Sequence, residues 1–156
     1  MYNKNKEKLY IAYGSNLNLE QMARRCLTAE IVGTATLRNW RLWFRGGNRS
    51  AVATVEREQG YKVPVLVWRL QPTDEDALDI YEGWPHLYRK ETLHLTLDGE
   101  RVAAMIYIMN ESGHPYNTPS AHYFEIIKES YKDMGFDLNI LHRAVCDSRK
   151  RRIEND

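Results

Sequence analysis

The chain has little cysteine: two residues, Cys26 and Cys146, among 156. A lone and widely separated pair is no disulfide framework, and in a chain of this size it does not signal secretion. Both lie in segments with helical patterning and are expected as reduced, small core residues. Long apolar runs are missing as well. No stretch is long enough to span a bilayer, and Met1 to Lys8 is polar, without the apolar h-region of a signal peptide. The expectation is a soluble cytoplasmic protein with no membrane partner. Charge of one sign is also absent. The 22 Lys and Arg against 21 Asp and Glu leave a net charge of +1, so no general field draws the chain toward nucleic acid. The run Arg149-Lys150-Arg151-Arg152 reads as a solvated tail that complements a helix C-terminus, and no nucleic-acid partner is expected.

Familiar catalytic signatures are missing too. His86, His94, His114, His122 and His142 include no pair at zinc-motif spacing, which argues against a structural or catalytic metal. There is no Gly-x-Ser-x-Gly elbow. The first glycine turn is followed by no Lys at phosphate-loop spacing and lacks the further glycines of a dinucleotide fingerprint. The chain contains no internal repeat, low-complexity tract or linker.

What is present fits one domain over residues 1–156, large enough to bury a core without staples. Hydrophobic residues make up 43% and charged residues 28%, an ordinary globular balance. The 10 Tyr favour strands and amphipathic pockets. Leu9 to Tyr13 reads as a buried strand, and Leu17 to Ala23 as a helix. Ile31 to Phe44 is extended, with alternation at Leu37, Trp40, Leu42 and Phe44. Trp40 and Trp43 suit an exposed dimer surface, making a homodimer one option, or a plain strand face. Ala51 to Val55 is a further strand, and Gly60-Tyr61-Lys62 reads as a turn into the apolar strand Val63 to Leu70. Thr73 resembles an N-cap for a helix over Asp74 to Tyr81, ended by Gly83 and Pro85. Tyr88 to Leu97 and Arg101 to Met109 form a hairpin across Asp98-Gly99. Asn110 to Thr118 is a loop. Pro119 and Ser120 open a helix to about Met134, stopped by Gly135, and a last helix covers Leu138 to Arg151. Strands grouped centrally with few helices give an α+β class, with a small, strongly bent or barrel-like sheet.

Two places could carry chemistry. The first is the elbow from Tyr13 to Asn18, between the first strand and the first helix. Gly14 allows backbone angles closed to other residues, and Ser15, Asn16 or Asn18 can cap the helix. Backbone N–H groups gathered there would hold an anion or an oxyanion. Read alone, the same residues are also common structural punctuation. The second is Glu82, one turn beyond Leu78 on an apolar helix face and next to Gly83. Burial there would raise its pKa into the range useful for proton transfer; the plainer reading is a solvated Glu at a frayed helix end. Tyr123, beside the core stripe Phe124, Ile127 and Tyr131, either points its hydroxyl into a pocket or reaches water.

Four segments in order resemble the γ-glutamylcyclotransferase family, in the sense that includes the butirosin-pathway and γ-glutamylamine enzymes. Tyr13-Gly14-Ser15-Asn16-Leu17 is similar to its substrate loop. Leu78-Asp79-Ile80-Tyr81-Glu82-Gly83 resembles the segment bearing its catalytic glutamate. Met105-Ile106-Tyr107-Ile108-Met109 resembles the strand before its variable loop, and Pro119-Ser120-Ala121-His122-Tyr123 the start of its substrate-lining helix. Asn16 after Ser15 is closer to this branch than to the glutathione-specific ChaC-type branch. The resemblance implies a small mixed, barrel-like sheet with helices packed around it. It implies cyclisation of a γ-glutamyl amide, whether of an amino acid or an amine, to 5-oxoproline with release of the amine. Glu82 would be the general acid and base. Tyr13, Gly14, Ser15, Asn16, Leu17 and Tyr123 would bind the small-molecule γ-glutamyl substrate, the loop Asn110 to Thr118 would shape the leaving-group pocket, and no cofactor is required. A module that keeps the γ-glutamyl pocket without turnover is the alternative.

Overall fold

The computed structural model describes residues 7–154; most of the polar Met1 to Lys8 segment therefore lies outside the described residues. Strand β1 (Lys8–Ala12) runs into a one-turn 3-10 segment at Ser15–Leu17, followed by α1 (Leu19–Arg25). Then come β2 (Glu30–Arg45), β3 (Val52–Leu70), α2 (Pro72–Glu82), β4 (Tyr88–Leu97), β5 (Glu100–Met109), α3 (Ala121–Met134) and α4 (Leu138–Glu154). The strands form one mixed sheet in the order β2-β3-β1-β5-β4. Central β1 is antiparallel to β3 and parallel to β5. Edge strands β2 and β4 approach one another, yet no ladder joins them among the described residues. The sheet is curled and left open, with α1–α4 around it.

The expected turn at Gly60 is instead the middle of a 19-residue strand. Opposite it, the β2–β3 register shifts between Arg38 and Trp40, and Asn39 takes a left-handed φ of 65°. The Gly60 N–H donates to Asn39 Oδ1 at 3.1 Å, and Gly60 itself has a φ of +93°. A glycine that reads as a chain reversal here lets two paired strands bend together at a bulge. The Asp98-Gly99 hairpin turn forms as expected, with both residues at positive φ.

The first helix starts later than its pattern suggests. Leu17 closes the 3-10 turn, and Asn18 caps α1 by accepting from the Gln21 N–H at 2.9 Å. The cap of α2 is Gln71, not Thr73, in a capping box with Asp74. Ser120 caps α3 and Gly135 ends it in a left-handed conformation. The core is a single cluster. Cys26 belongs to it, whereas Cys146 is exposed on the outer face of α4. Trp40 and Trp43 are buried: Trp40 belongs to the core cluster, and Trp43 is covered by Arg151 of α4 and by Tyr116 of the loop after β5; they offer no dimer surface. The basic run is not a free tail either. Arg151 lies over the Trp43 ring and Arg152 donates to Asn117 Oδ1. No described helix is long and apolar enough to cross a membrane.

Candidate active site

The elbow and the end of α2 meet at one cavity of about 180 Å³. The strand order explains why. β1 is central, so the turn leaving its C-terminal end sits above the middle of the sheet, where α2 and α3 reach it from either side. Tyr13, Gly14, Ser15, Asn16, Glu82 and Tyr123 all line the cavity. Leu17 does not. It is fully buried, and its N–H closes the 3-10 turn on the Gly14 carbonyl at 3.0 Å. The N–H groups of Gly14, Ser15 and Asn16 open that turn and donate to no group among the described residues. Three amides, those of Gly14, Ser15 and Asn16, are therefore free to serve a ligand, and that of Leu17 is not.

Glu82 is the last residue of α2, and Gly83 reverses the chain behind it with a φ of +64°. Its carboxyl is partly buried in the cavity wall. Burial pushes its pKa up to about 7, against the opposing positive charge of Arg25. Asn16 Nδ2 donates to Glu82 Oε1 at 3.3 Å and to the Tyr10 hydroxyl at 2.9 Å. One residue earlier on each segment, the hydroxyls of Ser15 and Tyr81 pair at 3.0 Å.

The remaining wall is phenolic. Tyr123 rises from the first turn of α3 and its hydroxyl oxygen accepts the Ala53 N–H at 3.0 Å. Its own O–H hydrogen remains available to an acceptor in the cavity. Tyr88 from β4 donates to the Ala53 carbonyl at 2.7 Å, and Tyr13 donates to the Tyr107 carbonyl at 2.6 Å. Burial raises the pKa values of Tyr10, Tyr13, Tyr88, Tyr107 and Tyr123, so these phenols stay neutral. The arrangement can take up and return one proton near neutral pH and can hold a small anionic or oxyanionic group on backbone amides.

Tyr10, Arg25, Ala53, Tyr81 and Tyr88 were not singled out from sequence. For the tyrosines the only signal is the richness in Tyr; strand pairing places Tyr10, Ala53 and Tyr88, and the packing of α1 against α2 places Arg25 and Tyr81. The Asn110 to Thr118 loop contributes no lining residue. It is fastened to the end of β2 through Gly46 N–H to the Pro115 carbonyl at 2.8 Å and Asn117 N–H to the Phe44 carbonyl at 3.0 Å. Leu87, beyond the bulky Trp84-Pro85-His86, lines the cavity instead.

Residues 10–130 match the family model described as gamma-glutamyl cyclotransferase, AIG2-like. The chain is 28% identical over 139 residues to the gamma-glutamylcyclotransferase of Homo sapiens, covering 83% of this chain and 73% of that one. It is 28% identical over 138 residues to the Mus musculus protein of the same name, with 81% and 71% covered. A solved structure named gamma-glutamyl cyclotransferase superposes with a TM-score of 0.75 at 26% identity, covering 88% of this chain and 86% of that one. The chain is an enzyme belonging to the gamma-glutamyl cyclotransferase, AIG2-like family.

Proposed function

We propose that this chain cyclises a γ-glutamyl amide to 5-oxoproline and releases the amine, with Glu82 as the base and then the acid. The observation that carries the reading is the Glu82 carboxyl, with a pKa raised to about 7, in the same small cavity as the Gly14–Asn16 turn. The substrate's own α-amine is the nucleophile, so the reaction asks for no nucleophilic Ser or Cys. The α-nitrogen attacks the γ-carbonyl carbon and a C–N bond forms. Glu82 takes a proton from that nitrogen and delivers it to the amide nitrogen as the C–N bond to the leaving amine breaks. The ring closes within one molecule, so holding the glutamyl chain folded supplies much of the acceleration. The unclaimed amides of Gly14, Ser15 and Asn16 grip either the α-carboxylate or the developing oxyanion. The Tyr123 hydroxyl donates to the same head group.

The volume of about 180 Å³ suits a glutamyl head and leaves the departing amine near the mouth. The test is a panel of γ-glutamyl amino acids, γ-glutamyl amines and glutathione assayed for 5-oxoproline, with wild type and Glu82→Gln. Product from wild type and a loss on the order of 10²–10⁴-fold in the variant support the reading. Tight binding of every compound with no product from any would make the chain a binding module.

A further inference from the structure

We propose that Arg25 is a positioning residue for this site: its guanidinium fixes the Asn16 amide so that both amide hydrogens face Tyr10 and Glu82. The inference rests on Glu82 being the base of the reaction proposed above.

Arg25 ends α1, and its Cζ lies over the Tyr81 ring, 3.4 Å from the centroid. Nη2 donates to Gln21 Oε1 at 2.7 Å, one turn back on α1. Nη1 donates to Asn16 Oδ1. Ring and helix thus hold the fork in place, and its contact on the elbow is Asn16. A guanidinium only donates, so the atom of Asn16 that it touches must be the carbonyl oxygen. An amide has two ends of similar shape, and its hydrogen-bond partners decide which way it points. With Oδ1 held by Arg25, Nδ2 must face the other way. Its two hydrogens then go to the Tyr10 hydroxyl at 2.9 Å and Glu82 Oε1 at 3.3 Å. Asn16 is 3% exposed and both ends of its amide are satisfied. Turned over, it would press Oδ1 against the carboxylate and oppose ionisation.

Charge acts in the same direction. The titratable groups that line the cavity with Glu82 are phenols: Tyr10 and Tyr13 from the β1 end, Tyr81 from α2 itself, Tyr88 from β4, Tyr107 from β5 and Tyr123 from α3. Asp79, one turn back on α2, is paired with Lys90 at 2.7 Å. Arg25 is the cation that opposes the burial of Glu82. Through one contact it holds the donor, and through space it stabilises the carboxylate.

Lysine would keep the charge and lose the planar fork; methionine would lose both. The experiment is a ¹³C-carboxyl NMR titration of Glu82 in the intact protein, assigned by the signal missing in Glu82→Gln. It is run on wild type, Arg25→Met and Arg25→Lys alongside the pH profile of 5-oxoproline release. The midpoint should rise by one pH unit or more in Arg25→Met and by less in Arg25→Lys. The acid limb of kcat/KM should move with it, and kcat should fall tenfold or more with KM changing less. An arginine that only staples α1 to α2 would lower Tm and leave both midpoints where they were, which overturns the proposal. Arg25→Lys is the milder change and carries the test if Arg25→Met does not fold. A wild-type midpoint together with wild-type kcat in it also overturns the proposal. A shifted midpoint in a protein that makes no 5-oxoproline upholds the Arg25–Glu82 coupling and removes the cyclotransferase reading instead.

Discussion

The hydroxyls of Ser15 and Tyr81 lie 3.0 Å apart, and the next residue on each segment repeats the contact as Asn16 to Glu82 at 3.3 Å. Two consecutive residues of the opening turn are thus matched to two consecutive residues at the end of α2. A loop alone would hold the Glu82 carboxyl loosely. Here it is the last residue of a capped helix, and its partner belongs to a turn anchored on the central strand. Trp68 of β3 adds a bond from Nε1 to the Asn16 carbonyl at 3.2 Å, which ties the turn to the sheet. Site precision comes from elements, with the loop as the piece they trap.

The raised pKa of Glu82 makes a stability prediction that needs no substrate. The group titrates at about 4.5 when free and at about 7 in the folded protein. Between those values the native state keeps a proton that the unfolded chain releases, so stability falls as pH rises through that window and is flat above it. The loss is about 3 kcal/mol as an upper figure. Glu82→Gln removes this dependence. Urea unfolding of both proteins from pH 4 to pH 8 should show the variant gaining on wild type up to about pH 7. A difference that stays constant over that range would mean the carboxyl is solvated.

Tyr123→Phe keeps the ring, which packs edge-on against Phe44 at 6.4 Å between centroids. It removes the oxygen that accepts the Ala53 N–H. Two effects should follow. Unfolding free energy should drop by about 1–3 kcal/mol, because a buried donor loses its partner. Binding of a γ-glutamyl compound, measured by calorimetry in the Glu82→Gln background to prevent turnover, should weaken by about 1.5–3 kcal/mol if the head group is charged and the site dry. Lost stability with an unchanged Kd would make the hydroxyl purely structural.

The parts of this site legible in the sequence are those carried by local pattern. Gly14-Ser15-Asn16 breaks an apolar run, and Glu82 stands where a helix face meets a helix-ending glycine. The Asp98-Gly99 turn and the caps at Ser120 and Gly135 are equally local. What escaped depends on pairing across the sheet. Tyr88 and Ala53 are brought together by strand order, and Arg25 by the packing of α1 against α2. Gly60 misled because a glycine between two apolar runs looks like a reversal. The residue that explains it, Asn39, stands on the partner strand. Trp43 gave no sign of burial because alternation marks two faces of a strand without saying which one a distant helix covers. The Phe44 N–H to Ser148 Oγ bond at 2.9 Å shows that α4 covers it. Leu17 sits in the motif but lost its amide to turn geometry, which no spacing reveals.

Asp74 is 2% exposed and holds α2 to Thr28 in the turn after α1. Its carboxylate accepts from the Gln71 N–H at 2.9 Å, the Thr28 hydroxyl at 2.7 Å and the Thr28 N–H at 3.2 Å. Asp74→Ala strands all three donors and removes a helix cap, for a cost of about 2–4 kcal/mol. Asp74→Asn should recover part of this, since its carbonyl oxygen can still accept. Chemical denaturation of the three proteins at one pH measures the series. Equal stability of Asp74→Ala and wild type would rule out the cap as a support of the site.

Gly14 brings the backbone of the turn close to the tyrosine wall. A Cβ at this position would lie 3.2 Å from the Ala53 Cβ and 3.3 Å from the Tyr123 hydroxyl. Both distances are tighter than ordinary carbon contacts, so something must yield. Ala53 cannot move easily: its N–H and carbonyl are held by Tyr123 and Tyr88. The strain therefore falls on the Tyr123 hydroxyl and on the turn that carries the free amides. Gly14→Ala should lower stability by about 1–3 kcal/mol, the usual range for overpacking. It should also cut kcat/KM by roughly tenfold to a hundredfold, because a small displacement of positioning groups is costly. Adding Tyr123→Phe to Gly14→Ala separates the causes. If the clash with the hydroxyl dominates, the double variant should be more stable than the sum of the two single losses. Strict additivity would put the damage in the turn itself and leave the Ser15 and Asn16 amides as the groups that moved.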